Sequence, residues 1–210
     1  MNATTETLDR LADQTARYAR YARGAGGLGS VIGGVMVLAA FALNGFVDLT
    51  PPLRGLLAAT PLLWLSAKAL LRRHYYQAAG TVVAQPSSTE RRTRFWMVLL
   101  LALIAVIVVG VVAAAMVRDG RAPEWPLLGY ALMVGIMPIA AWRWFWSVSD
   151  FLVGVLLFCQ SAVVLMGGNY PASWMIYAAA CAGIAILYGW REHRDYLALR
   201  SEICRRGRAE

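Results

Sequence analysis

The chain has 210 residues, of which 59% are hydrophobic and 15% charged, with a formal net charge of +8. Soluble domains run at about 45–50% apolar and about 25% charged, so this composition excludes an ordinary soluble globular domain. It fits a chain whose apolar runs lie in a bilayer, where a span needs about 20 mostly apolar residues. The basic excess, 19 Arg and one Lys against 12 acids, then reads as an orientation signal and an attraction to anionic headgroups, not as nucleic-acid binding.

Within the N-terminal segment 1–26, residues 4–23 have helical period. Leu8, Leu11, Thr15, Tyr18 and Ala22 share one face, and Glu6–Arg10 and Asp13–Arg17 are acid-before-base pairs four apart. The segment carries Glu6, Asp9 and Asp13 and lacks a basic start and small-residue cleavage site, so it is expected to be an amphipathic helix on the inner leaflet and not a leader. Docking of this helix onto a partner helix is the alternative.

Residues 27–190 are expected to form an all-α transmembrane domain of about six spans in three hairpins: 28–47, 53–71, 95–117, 125–142, 150–166 and 172–190. In the first span Gly26, Ser30 and Gly34 repeat every four residues, as do Gly29 and Gly33. Small residues at that spacing open a groove for another backbone. Turn signals follow at Asp48–Pro52, and Pro61 predicts a kink in the second span. Residues 72–94, with Gln85-Pro86-Ser87-Ser88-Thr89 at their centre, read as a polar loop. After the fourth span Trp142-Arg143-Trp144-Phe145-Trp146 reads as an aromatic belt, and Ser147–Asp150 as a helix cap. The sixth span is expected to continue as a helix into the basic tail, 191–210, until Gly207.

Arginine sets the orientation. With the N-terminus inside, four precede the first span, six fall in the two inner connections and six in the tail. Only Arg54, Arg118 and Arg121 fall outside. Both ends are therefore expected in the cytoplasm, with a bacterial inner membrane as the location. An even number of spans is required for that bias to hold.

Catalytic and cofactor signatures are missing. There is no HExxH, GxSxG, Walker loop or dinucleotide fingerprint, and no cofactor or metal is expected. His74 and His193 follow inner helix ends and read as interfacial. Cys159, Cys181 and Cys204 show no metal or disulfide spacing and read as packing residues.

Three intramembrane polar residues stand out. Lys68, the single lysine, lies one turn before Arg72; it is expected to snorkel, with a titratable, pathway-lining role as the alternative. Asn44 and Gln160 lie deep in apolar runs and would need interhelical partners. Arg143 with Asp150, and Asp48 with Arg54, read as exposed bridges of little energetic weight.

An amphipathic helix, six spans and a longer second inner loop resemble, in architecture alone, permease subunits of the ABC-2 export type, although the chain is short for that group and carries none of its residue motifs. The leading expectation is a small transport-related component, not itself an enzyme, acting as a homo-oligomer or with a membrane or cytoplasmic partner. A non-transporting scaffold or regulator is the alternative. An intramembrane enzyme ranks third, because no acid–base or nucleophile constellation appears.

Overall fold

The computed structural model describes residues 3–25, 27–76, 88–122, 125–167 and 172–206. Those residues form eight α-helices and no strand: α1 (Ala3–Arg23), α2 (Leu28–Phe46), α3 (Pro51–Ala58), α4 (Thr60–Leu71), α5 (Ser88–Arg118), α6 (Trp125–Ala140), α7 (Val148–Leu165) and α8 (Ala172–Arg206). A π-helical turn, Arg72–Tyr76, extends α4, and a 3₁₀ turn, Trp142–Trp144, precedes α7. Three of the helices, α2, α5 and α7, are long and apolar enough to cross a membrane, and α6 is apolar but shorter.

The expected second span is two helices. The chain breaks at Ala59, whose N–H still reaches back to Gly55, and Pro61 sits in the first turn of α4. A proline there lacks only an N–H that a helix start leaves unpaired anyway. Thr60 Oγ1 donates to the Leu57 carbonyl at 2.7 Å and satisfies one acceptor at the break. The proline signal was therefore a break and not merely a kink. The expected loop 72–94 is also shorter than the sequence suggests. Its first five residues continue α4 as the π turn, and α5 begins at Ser88, seven residues before the apolar run. Gln85, Pro86, Ser87, Gly26 and the turn 168–171 lie outside the described residues.

The two end predictions fare differently. α8 runs unbroken from Ala172 to Arg206, so the last apolar run and its basic continuation are one 35-residue helix. α1 is a helix with the Asp13–Arg17 pair at 2.8 Å. Its buried face is taken up by the chain itself: Tyr18 stacks on Tyr196 of α8 with ring centroids 5.3 Å apart. The amide of Gln14 donates to Glu202 at 3.3 Å. Around Tyr18 the helix is docked as in the alternative; the side chains of Leu8 and Leu11 lie outside those described.

Contacts between helices fix their relative directions. Ser30 on α2 meets Asp150 on α7, and Gly33 meets Val153, so α2 and α7 run parallel from a common level. Gly34 faces Ala182 and Ile186, and Gly45 faces Met175, so α8 runs antiparallel to α2. The core gathers around α7, where Val153, Leu157 and Phe158 pack with Val37 and Phe41 of α2, Trp64 of α4 and Leu101 of α5. By contrast, Leu99, Leu100, Leu103, Ile107 and Val111 of α5 are exposed. An apolar outward face of that extent needs an apolar surrounding.

Candidate functional site: a buried ion pair beneath a cleft

Near the C-terminal end of α4, Lys68 lies along α2 at Gly29. A Cβ at Gly29 would come within 2.8 Å of Lys68 Cγ, so the missing side chain is what admits the lysine stem. The Nζ reaches Asp150 Oδ1 at 2.7 Å and donates to the Trp144 carbonyl at 2.6 Å. It stands 5.1 Å from the centre of the Trp64 ring, a cation–π distance. Trp64 is itself fixed by its indole N–H, which donates to the Gly29 carbonyl at 2.8 Å. The side chains of Lys68 and Asp150 are 2% and 1% exposed.

Asp150 occupies the first turn of α7 and is tied down from every side. Its Oδ1 also accepts from Ser30 Oγ at 2.9 Å, and its Oδ2 accepts from the Trp146 N–H at 3.0 Å. Ser147, the expected cap, accepts from the Asp150 N–H at 3.2 Å. Ser149 Oγ lies 3.0 Å from Ser30 Oγ and 2.7 Å from Ser147 Oγ. The helix dipole favours a carboxylate in this first turn, and the lysine neutralises it. Removing one member of such a pair leaves an unpaired buried charge and typically costs about 3–5 kcal/mol.

These contacts correct two expectations. Lys68 does not snorkel: it points into the bundle and is paired. Asp150 forms no exposed bridge with Arg143; it is among the most buried polar groups of the chain. The sequence carried a signal that went unused, since a lone lysine among 19 arginines, placed within a span, calls for an acid at the same depth. Capping accounts for Asp150 in the sequence and hides its pairing. The other singled-out polar residues are not at this site. Asn44 and Gln160 are buried with no hydrogen-bond partner for either amide atom, and Asp48 and Arg54 are both exposed.

The small residues of α2 take different roles. Ser30 is a hydrogen-bond donor in the site. Gly29 and Gly33 face Lys68, Trp64 and Val153, while Gly34 faces α8. The groove expected to serve assembly is therefore filled within the chain. At its head Gly27, at φ 86, sits against the Gly189 carbonyl, and the Cβ that a larger residue would add there also falls 2.9 Å from Glu192 Cβ. Any side chain at Gly27 would part α2 from α8.

Above the pair, at the arginine-rich end of the bundle, a cleft of about 400 Å³ is lined by Arg20, Tyr21, Trp146, Ser147, Ser149 and Glu192, among others. The Glu192 carboxyl is pushed up to about 7 from the ordinary 4.5, by burial first and then by the charge of Asp150, with Lys68 acting in the opposite sense. Tyr21 is likewise raised, by burial and by the charges of Asp195 and Glu192. The rim is braced by Arg94, whose guanidinium stacks 3.9 Å from the Trp146 ring, and by Arg20, which lies 3.6 Å from Glu90.

A second polar cluster ties the π turn to α8. Tyr76 hydrogen-bonds His193 Nδ1 at 3.0 Å, and both pack with Tyr196. His193 is thus buried in an aromatic group, whereas His74 is exposed. Among the described residues no three His, Cys, Asp or Glu are placed to hold a metal ion. The three cysteines are free. No family model, curated protein or solved structure matches this chain.

Proposed function

We propose that the chain is a six-span membrane protein with both ends in the cytoplasm, and that it serves as a small transport-related component, with a partner or as an oligomer. The observation that carries this reading is the Lys68–Asp150 pair beneath an open cleft. Ionisable residues at membrane depth are expensive and concentrate where ions, protons or substrates move. The unpaired amide of Gln160 on α7 adds support. A buried amide with no partner calls for one, or for water, in a second arrangement of the helices.

The test is access to Gln160. In a chain whose three native cysteines are replaced, Gln160→Cys should react with a membrane-impermeant thiol reagent during turnover of the reconstituted complex. A site that stays unreactive from both faces of sealed vesicles would remove the pathway. A scaffold reading has one observation in its favour. α1 and the distal part of α8 form a helical platform, joined by Tyr18 to Tyr196 and Gln14 to Glu202, on which a soluble partner could dock. Purification under mild detergent, followed by identification of what co-migrates, separates the two: a soluble regulator alone favours the scaffold, and an ATPase or second membrane subunit favours transport.

A further inference from the structure

The cleft above the buried pair has one acid and one base among its described lining residues, Glu192 and Arg20. Glu192 forms no salt bridge with a described residue. Its stem is set close against α2, since a Cβ added at Gly27 would fall 2.9 Å from Glu192 Cβ. Arg20 approaches Glu90 through Nε at 3.6 Å. That contact is loose, and it leaves guanidinium N–H groups for a further acceptor. A cleft lined by one charge of each sign, neither of them tightly matched, suits a ligand that carries one of each.

Depth and surroundings narrow the choice. Gly27 lines the cleft and stands at the head of α2, against Gly189 of α8. The cleft therefore lies where α2 enters the apolar layer, which is the level of lipid headgroups. Two further lining residues, Val148 and Tyr188, are 65% and 56% exposed. Along α8, Tyr188, Ile184 and Tyr177 are all exposed, and their spacings of four and seven put them on one stripe of the helix. Because α8 runs antiparallel to α2, this stripe leads from the cleft toward the middle of the bundle. From Tyr188 to Tyr177 the helix rises about 16 Å. That is about half of a hydrocarbon layer about 30 Å thick, the depth that one acyl chain covers.

We propose that the cleft is a phospholipid site of the phosphatidylethanolamine class, with the phosphate on Arg20, the ammonium on Glu192 and one acyl chain along Tyr188, Ile184 and Tyr177. Guanidinium and phosphate form strong, charge-assisted hydrogen bonds. A primary ammonium donates several N–H bonds, and the Glu192 carboxylate accepts them. A choline headgroup has no N–H to offer. A glycerol headgroup brings a negative charge and no positive one, so it leaves the acid unmatched. The cleft volume of about 400 Å³ falls in the range of about 300–1,000 Å³ usual for small-molecule sites. The site needs these helices to lie in a bilayer and does not need the chain to transport. A lipid failure would therefore leave the Gln160 test untouched, and a closed Gln160 would leave the lipid site standing.

The test is native mass spectrometry of the full chain, purified in detergent, stripped of lipid and titrated with three phospholipids of matched acyl chains. Phosphatidylethanolamine should bind one to one, about tenfold tighter than phosphatidylcholine or phosphatidylglycerol. Glu192→Gln should lose at least about tenfold in affinity for phosphatidylethanolamine, the worth of one charge-assisted hydrogen bond. It should bind phosphatidylglycerol as wild type does, which also shows that the variant is folded. Arg20→Gln should weaken all three lipids together. A photoreactive phosphatidylethanolamine should label the chain around Trp146–Ser149 and Tyr188–Glu192. Wild type that binds the three lipids equally overturns the site with no variant needed. So does Glu192→Gln with its preference for the amine lipid intact, or labelling spread over the outer faces of α5 and α6. Displacement of the lipid by an equal concentration of free phosphoethanolamine would also overturn it, because the cleft would then read a soluble zwitterion and not a membrane lipid.

Discussion

Lys68 and Asp150 are each packed and hydrogen-bonded on all sides, so their substitution separates charge from shape. Lys68→Met keeps the stem and strands the Asp150 carboxylate; it should lose about 3–5 kcal/mol of stability. Asp150→Asn in the same chain should recover much of that loss, since the amide needs no counter-charge: its oxygen can still accept from the Trp146 N–H, and the Ser30 hydroxyl can turn to accept from its nitrogen. Lys68→Arg keeps the charge, and a snorkelling lysine would tolerate it. The ammonium is enclosed by Asp150, the Trp144 carbonyl and the Trp64 ring, and a cost of about 1–3 kcal/mol is expected from overpacking a larger head group there. Melting of the four proteins in one detergent decides the matter: equal melting of wild type and Lys68→Arg would mean the pair is looser than its distances indicate. Glu192 supplies the pH dependence. Its folded value of about 7 exceeds the ordinary 4.5, so between the two the folded state binds more protons than the unfolded one. Stability should therefore fall as pH rises from about 4.5 to about 7 and level off above. Glu192→Gln should abolish that slope.

At the scale of elements, α2 shows how a small-residue face is used. Glycines at every fourth position signal close helix approach, and the approach is present, but three different neighbours share it. A Cβ at Gly34 would meet Ile186 Cγ1 at 2.5 Å and the Ala182 carbonyl at 3.1 Å, whereas at Gly110 on α5 it would meet nothing within 4 Å. Gly34→Leu should therefore lower the melting temperature sharply, without changing the particle size in detergent. Gly110→Leu should stay within about 0.5 kcal/mol of wild type. A change in size with unchanged melting would restore the assembly reading of this face. The same elements show what was legible in the sequence. The apolar runs, the continuous α8 and the Ser147 cap follow from local pattern, and periodicity carries that information. The break at Ala59 was half-visible, because Pro61 marks a discontinuity without saying whether it bends a helix or starts one. The site was the least legible part. Lys68 was conspicuous, but its partner lies 82 positions away at a helix start, where capping already explained an aspartate. The contact of Ser149 with Ser30 and the place of Glu192 in the cleft could not be read from local pattern, since they exist only once α2, α7 and α8 meet.

The whole molecule poses the question of how many times the chain crosses the bilayer. Among the described residues α2, α5 and α7 meet the length and composition required of a span, and the packing of the other helices bears on the count. Contacts between α2 and α8 extend from Gly27 opposite Gly189 to Gly45 opposite Met175. The stretch 175–189 of α8 therefore covers the depth of α2, whose 19 residues rise about 28 Å, close to the hydrocarbon thickness of about 30 Å. The pair α3–α4 covers much of α7: Ser161 donates to the Ala58 carbonyl, and Lys68 reaches Asp150. The break at Ala59 is tolerable at membrane depth because this serine caps a freed carbonyl. α6 lies along α5, with Ala131 grouped with Val109 and Gly135 against Ala105. Directions alternate along α2, α3–α4, α5, α6, α7 and α8, and the six-span proposal puts Tyr76 and the distal part of α8 on the same side as α1. Reporter fusions after Tyr76 and at the C-terminus should both report cytoplasm, and one after Asp119 should report the opposite face. If α3–α4 were a re-entrant hairpin, the fusion after Tyr76 would report outside. The arginines at 72, 73, 91, 92 and 94 would then lie on the wrong side for the charge rule, so an external Tyr76 would overturn both the six-span count and the orientation argument.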